Sequence, residues 1–254
     1  MLIDTHCHLT FPEFREDLDE VVFRANESGI KRMIVPSINL ETSKQAIGLA
    51  DKYASVYAAV GVHPQESGQF WERDIDQFYQ LSEHPKVVAL GEVGLDYYRN
   101  YAPQAIQKQI LETFLTLSLD VELPVIIHNR SAIDDLMAIL NRPVFENVKG
   151  VFHCFSEDHF VAERVIQHGF MVSFTGTVTF KNSRSATVAQ NVPLAKQLLE
   201  TDAPFMAPVP KRGKRNEPAY LAFIAEKQAE LHTIPVEEVA HITTGVAFDL
   251  FPGL

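Results

Sequence analysis

Ile3-Asp4-Thr5-His6-Cys7-His8 is a short apolar run that ends in two histidines two residues apart. Successive side chains of a β-strand point to opposite faces, so His6 and His8 share a face with Asp4 while Thr5 and Cys7 turn the other way. Alone, the pair is equally well explained as solvated or core histidines. The reading changes because the same arrangement recurs along the chain, a brief apolar run closed by a residue that carries chemistry. Residues 56–62 run into His63-Pro64, 87–90 into Gly91-Glu92, 124–127 into His128, Gly150–Phe152 into His153, and 197–200 into Thr201-Asp202.

Stretches of helical spacing separate these runs. Phe14, Leu18, Val21, Val22 and Ala25 predict a helix over 13–28 with Gly29 as its cap, and a strand over 32–35 stops at Pro36. Further helices are expected at 40–53, 74–82, Gln104–Val121 behind Pro103, 132–140, 160–168 before Gly169, 185–191, 218–231 and Val236–Leu250. A strand at 170–174 leads into Thr175-Gly176-Thr177. Eight short strands alternating with helices, without a period of two, are what a parallel sheet buried on both faces produces. Periodicity alone leaves a doubly wound open sheet as the alternative. The placement of His6, His8, His63, Glu92, His128, His153 and Asp202 at the C-terminal ends of strands favours a TIM (β/α)8 barrel, because barrels gather those ends and a flat sheet spreads them.

The chain has 254 residues, 46% of them hydrophobic, and no Ser/Gly-rich or single-sign charged linker, so one barrel domain over residues 1–254 is expected. No apolar run approaches the roughly 18 residues of a membrane span, and no secretory leader pattern opens the sequence, which predicts a cytoplasmic protein without a membrane partner. Cys7 and Cys154 belong to no CxxC pair, so neither a disulfide scaffold nor a zinc ribbon is indicated. The formal net charge of −11 disfavours general attraction to duplex DNA or anionic lipid. An anionic substrate therefore needs local positive charge, and Lys211, Arg212, Lys214 and Arg215 supply four cations in five residues just after Asp202.

Four imidazoles (His6, His8, His128, His153) and two carboxylates (Glu92, Asp202) exceed what one catalytic ion needs, but suit two divalent cations (Mg, Mn or Zn) with one carboxylate shared between them. Glu92, on the central strand of the set, is expected to bridge. Such a pair lowers the pKa of a shared water and neutralises an anionic substrate, and a nearby carboxylate takes the proton. Asp202 has no following helix to cap. His63 is expected on the substrate side, although it could also simply end a strand. Asp96 and Arg99 are candidates for substrate contact or a loop ion pair, Asp4 is expected to be a buried supporting partner, and the histidines at 84, 159, 168, 232 and 241 are expected on the surface.

Taken together, Ile-Asp-Thr-His-Cys-His, Gly61-Val-His-Pro, Gly91-Glu-Val-Gly-Leu-Asp-Tyr-Tyr, Pro124-Val-Ile-Ile-His, His153-Cys-Phe-Ser, Glu200-Thr-Asp-Ala-Pro and Arg212-Gly-Lys-Arg-Asn-Glu-Pro resemble the motifs of the TatD family of metal-dependent deoxyribonucleases, within the amidohydrolase superfamily. The resemblance runs in order from residue 3 to about 220. It implies a TIM barrel with two divalent cations, cleaving phosphodiester bonds in DNA by attack of a metal-activated water, typically as a 3′ to 5′ exonuclease. By position, His6 and His8 would hold one metal with Asp202, and His128 and His153 the other. Glu92 would bridge, His63 would lie near the scissile phosphate, and Asp202 would also accept the proton. DNA ends or short single strands would be the substrate, held in part by Asp96, Arg99 and the basic run Lys211, Arg212, Lys214, Arg215, and no obligate protein partner is expected. Glu157, Ser131 and Gly245 depart from residues usual in the family, but none replaces a proposed ligand. A related hydrolase of a small ester, lactone or phosphoester is the rival reading. Some of those bridge with a modified lysine on the fourth strand, where this chain has only Lys86. A non-enzymatic binding barrel is disfavoured, because every ligand survives.

Overall fold

The computed structural model describes residues 1–70 and 72–254. Among these residues eight parallel strands lie side by side in chain order: β1 (Leu2–Asp4), β2 (Ile30–Pro36), β3 (Val56–Val60), β4 (Val87–Asp96), β5 (Val125–Arg130), β6 (Gly150–Phe152), β7 (Met171–Phe174) and β8 (Gln197–Leu199). The barrel closes through the backbone: Thr5 N donates to Leu199 O at 3.1 Å, Asp202 N to His6 O at 2.8 Å and His8 N to Ala203 O at 2.7 Å. Closure thus sets Asp202 against the two histidines at the other end of the chain. Asp4 reinforces the seam, accepting from Thr201 N and Thr201 Oγ1 at 2.9 and 2.6 Å. No imidazole nitrogen bonds to it, so its support of the site runs through the β1–β8 seam.

The helices are α1 (Leu18–Glu27), α2 (Leu40–Lys52), α3 (Ile75–Ser82), α4 (Gln104–Val121), α5 (Ile133–Leu140), α6 (His159–Gln167), α7 (Arg184–Asn191), α8 (Leu221–His232) and α9 (Val236–Leu250). Local chemistry starts several of them. Asn39 and Thr42 form a reciprocal capping box on α2, and Asp158 and Ser183 accept from Val161 N and Ala186 N at the starts of α6 and α7. Neighbouring residues of one strand feed different cores. Met33 and Val35 pack outward against the helices, whereas Ile34 joins Ile3, Val88, Ile126, Val151 and Leu198 in an inner cluster closed by Val246, Ala247, Leu250 and Phe251 around the end of α9. Burial on both faces explains why the strands lack alternation. None of the described helices is long and apolar enough to cross a membrane.

Several boundaries differ from the sequence expectation. The expected helix over 13–28 divides into a 3-10 turn at Pro12–Phe14 and α1, because Phe14 turns into the core while Asp17 leaves the helical conformation to meet Arg24 and Arg215. β4 runs six residues past Leu90, to Asp96. Beyond Leu90 it crosses the end of β3 and pairs with Ser37, Glu92 N donating to Ser37 O at 2.8 Å and Ser37 N to Gly91 O at 3.1 Å. This crossing needs Gly61 and Gly91, since a Cβ on Gly61 would lie 2.8 Å from the Gly91 backbone. Two residues on from Glu92, Gly94 adopts φ +148°, and a Cβ there would sit 2.0 Å from His128 O. Of the histidines expected on the surface, His159 and His241 are exposed, but His84, His168 and His232 are half-buried. His168 Nε2 pairs with Leu140 O at 2.7 Å, and burial pushes the His232 pKa down.

Candidate metal centre

The C-terminal ends of the strands open into a cleft of about 680 Å³ whose lining includes His8, His63, Glu92, His128, His153 and Asp202. Glu92 stands at its centre with its two carboxylate oxygens aimed at different histidine sets. Oε2 lies 3.5 Å from both His6 Nε2 and His8 Nε2. These two nitrogens are 3.1 Å apart, and Asp202 Oδ1 is 3.8 Å from the first and 3.5 Å from the second. Donors placed tetrahedrally around an ion at about 2.1 Å stand roughly 3.4 Å from one another, so His6, His8 and Glu92 have the spacing of a ligand shell, with Asp202 beside both imidazoles. The other oxygen, Oε1, lies 2.6 Å from His128 Nδ1, 2.8 Å from His153 Nε2 and 3.5 Å from His63 Nε2. The two shorter spacings are hydrogen-bond lengths, and a cation entering there exchanges a shared proton for itself.

Behind the second set stand further carboxylates. Asp96 Oδ2 is 3.5 Å from His128 Nε2, and Glu200 Oε1 is 3.6 Å from His153 Nδ1. A carboxylate on the far nitrogen of an imidazole is how metal-bound histidines are oriented and made more basic. The donor set therefore fits divalent cations on the chemistry of its atoms. Among the described residues three triads, His6/His153/Asp202, His6/His8/Glu92 and His63/Glu92/His128, bring their donor atoms within 4.8 Å of one another.

Burial and mutual charge set the protonation states. Burial disfavours charge on Glu92, but His153 and His63 and the hydrogen bonds of His128 and His153 outweigh it and hold the carboxyl well below its usual range. His6, buried and facing His153, is pushed down to about 3, so its imidazole stays neutral and able to bind a metal. Burial likewise lowers His63. His128 and His153 go the other way: burial opposes their charge, but Asp96 and Glu92 raise the first, and Glu92 and Glu200 raise the second. Asp202 is held in the left-handed region at φ +54°, and Cys154, beside His153, at φ +45°. Aspartate tolerates that conformation better than most residues, and strained backbone gathers at functional sites.

Six of the sequence candidates, His6, His8, Glu92, His128, His153 and Asp202, thus converge, and His63 joins them across Glu92. Asp96 is fully buried behind His128, and its oxygens accept from Tyr98 N, Gln65 Nε2 and the backbone N–H of Arg99 rather than its guanidinium. The Arg99 side chain instead lines the cleft, with Nη1 3.4 Å from the Tyr101 hydroxyl. The basic run lies outside the residues that line the cleft. Arg215 is held by Asp17 at 2.7 Å and over the Phe14 ring, Arg212 stacks on Phe180, and Lys211 lies over Tyr220.

Sequence reasoning missed two residues. Glu200 carries no exposed surface, accepting Cys154 N and the Ser173 hydroxyl at 2.6 Å each. Its signal was a charged residue directly after the apolar residues of a strand buried on both faces. Arg130 lines the cleft with its guanidinium 4.0 Å from the Tyr98 ring, placed there because β5 continues beyond His128.

A parallel barrel with this histidine and carboxylate centre at the C-terminal ends of its strands defines a metal-dependent hydrolase. A family model described as TatD related DNase matches residues 3–252, and the chain belongs to that family. It is 42% identical over 252 residues to YabD of Bacillus subtilis (strain 168), described as an uncharacterized metal-dependent hydrolase, with 99% of each chain covered. It is 35% identical over 236 residues, 90% of each chain, to the 3′-5′ ssDNA/RNA exonuclease TatD of Enterobacter lignolyticus (strain SCF1). The crystal structure of YjjV, a TatD homolog from Escherichia coli K12, superposes with a TM-score of 0.92 at 35% identity, covering 98% of this chain and 97% of that one.

Proposed function

We propose that the protein is a divalent-metal-dependent nuclease that removes nucleotides from the 3′ end of single-stranded DNA, with two cations sharing Glu92. The observation that carries this reading is the division of Glu92, one oxygen toward His6 and His8 and the other toward His128 and His153. Asp202 completes the first set. Held by these histidines and carboxylates, the cations would supply Lewis-acid charge for a phosphate and lower the pKa of water. The chain's own residues do the rest. Asp202, whose Oδ1 faces the first set, takes the proton of the attacking water. His63, on the cleft side of Glu92, contacts the phosphate, and Arg99 and Arg130 hold the strand's neighbouring phosphates. Arg212 and Lys214, exposed outside the cleft, meet only more distant phosphates of a longer strand.

A lysine-bridged centre is disfavoured, because the Lys86 amine bonds Ala54 O and Val56 O, by the start of β3 and away from the site. The test is hydrolysis of single-stranded, duplex and abasic DNA and of RNA, each with magnesium, manganese or zinc, using 5′-labelled strands with free or blocked 3′ ends. A ladder shortening from the 3′ end, abolished by the block and by chelation, is expected. Metal-independent turnover, or no phosphodiester cleavage with any ion, would overturn the reading.

A further inference from the structure

The cleft has two unlike walls. Arg99, Tyr101 and Arg130 form a cationic one, whereas Phe11, Phe205 and Met206 form an apolar one beside His8. The apolar wall is an aromatic corner. The Phe11 ring stacks on His8 with centroids 4.6 Å apart and planes 20° from parallel, and Phe205 stands edge-on to both, 5.9 Å from Phe11 and 6.4 Å from His8. Phe205 is 47% and Met206 43% exposed.

An exposed phenylalanine commonly marks a loose loop, but the backbone that carries this one is tightly held. Buried Asn216 donates its side-chain amide to Phe205 O at 2.6 Å and Thr201 O at 2.8 Å. Phe205 N donates to Asp202 O at 2.8 Å, and Met206 O approaches Gly176 so closely that a Cβ there would lie 2.1 Å from it. The fold thus holds the backbone of a half-exposed aromatic residue three residues after a metal-ligand candidate, its ring packed against Phe11 and His8 and otherwise open to the cleft. A rigid aromatic surface of this kind is preorganised for a ligand, since little ordering is left to oppose binding.

We infer that Phe205 and Phe11 form a stacking corner for the unpaired nucleobase adjoining the scissile phosphate, an assignment that rests on the nuclease reading. Every base has a π-face, so such a corner is tolerant of sequence but demands that the base be unstacked from a partner strand. A cleft of about 680 Å³ is ligand-sized, and the arginine wall opposite receives the phosphates while the aromatic corner receives the base. Preference for single strands then arises from the base as well as from charge, which suits a protein of net charge −11.

The test compares kcat/KM on a short single strand with that on the same strand carrying a tetrahydrofuran residue, which lacks the base, on one side or the other of the terminal phosphodiester. Wild-type protein is expected to lose on the order of 10-fold when the base is removed at one of these two positions. Phe205→Ala should lower turnover of the base-bearing strand and bring the ratio of the two substrates toward 1, while Phe205→Trp keeps the ratio. Metal content and thermal melting of both variants separate this from disturbance of His8. If the wild type does not discriminate, or Phe205→Ala and Phe11→Ala both retain its ratio, the aromatic corner does not hold a base. If no strand is cleaved at all, the nuclease reading falls and this inference with it.

Discussion

Replacing Glu200 by glutamine separates charge from shape behind His153. The carboxylate accepts the Cys154 amide and the Ser173 hydroxyl at 2.6 Å each and lies 3.6 Å from His153 Nδ1. A glutamine that turns its oxygen to the Cys154 amide places its own amide at Ser173, whose hydroxyl can rotate to accept. The hydrogen bonds largely survive, and the stability lost should be about 1 kcal/mol. What disappears is the negative charge behind the imidazole, which typically costs 10- to 100-fold in metal affinity or activity. Alanine, by contrast, leaves a buried N–H and O–H unpaired beside a cavity, and should cost about 2–6 kcal/mol and much of the fold. Calorimetric titration of metal-free protein with zinc or manganese at fixed pH, alongside a thermal melt, reads both quantities. Ser173→Ala is the control, because it removes one hydrogen bond and keeps the charge, so its metal affinity should stay near wild type. If Glu200→Gln binds both ions with unaltered affinity, the carboxylate only braces the loop at Cys154.

Further expectations follow from the same geometry. Gly94→Ala forces a Cβ to within 2.0 Å of His128 O at φ +148°, so strain and overpacking together should cost about 2–6 kcal/mol. Whatever protein folds should lose on the order of 100-fold in turnover, as His128 moves from Glu92; a wild-type melt and rate would refute this. Asp202→Asn keeps the left-handed backbone and should lower kcat by about 100-fold or more with little change in KM, whereas a raised KM alone would remove the proton-accepting role. Arg99→Ala with Arg130→Ala should flatten the salt dependence of single-strand binding by roughly 0.7 per lost phosphate contact, with alanine at Lys211, Arg212, Lys214 and Arg215 acting only on longer strands. An unchanged slope in the double variant would place the phosphate contacts elsewhere. Arg215 and Arg24 hold the Asp17 carboxyl at about 2, below its usual 3.8. That depressed pKa contributes stability above about pH 4 that is lost as pH falls through 2. With the aspartate a third exposed, Asp17→Asn should cost at most about 1 kcal/mol at neutral pH, and its stability should converge with wild type near pH 2.

The barrel and the convergence of the candidate metal donors were legible in the sequence because each candidate closes a short apolar strand, and strand ends are what a barrel gathers. The extent of β4 was not, since its crossing over β3 depends on a contact between Gly61 and Gly91 that no local pattern encodes. Burying Asp96 behind His128 follows from that longer strand. Glu200 escaped notice because its partners, Cys154 and Ser173, are brought to it only by the pairing of β6, β7 and β8. The basic run read as a substrate rim from charge and position alone. Asp17, Phe14 and Phe180, which occupy two of its arginines, come from distant parts of the chain and become its neighbours only in the folded barrel.

The sharing of Glu92 between two cations is tested most directly by electron paramagnetic resonance of the manganese-loaded protein, with metal content measured on the same sample. Two Mn²⁺ per chain giving an exchange-coupled signal are expected in the wild type, with the coupling and at least one ion lost in Glu92→Gln. A single ion per chain, or two uncoupled ions retained in Glu92→Gln, would contradict the bridged centre.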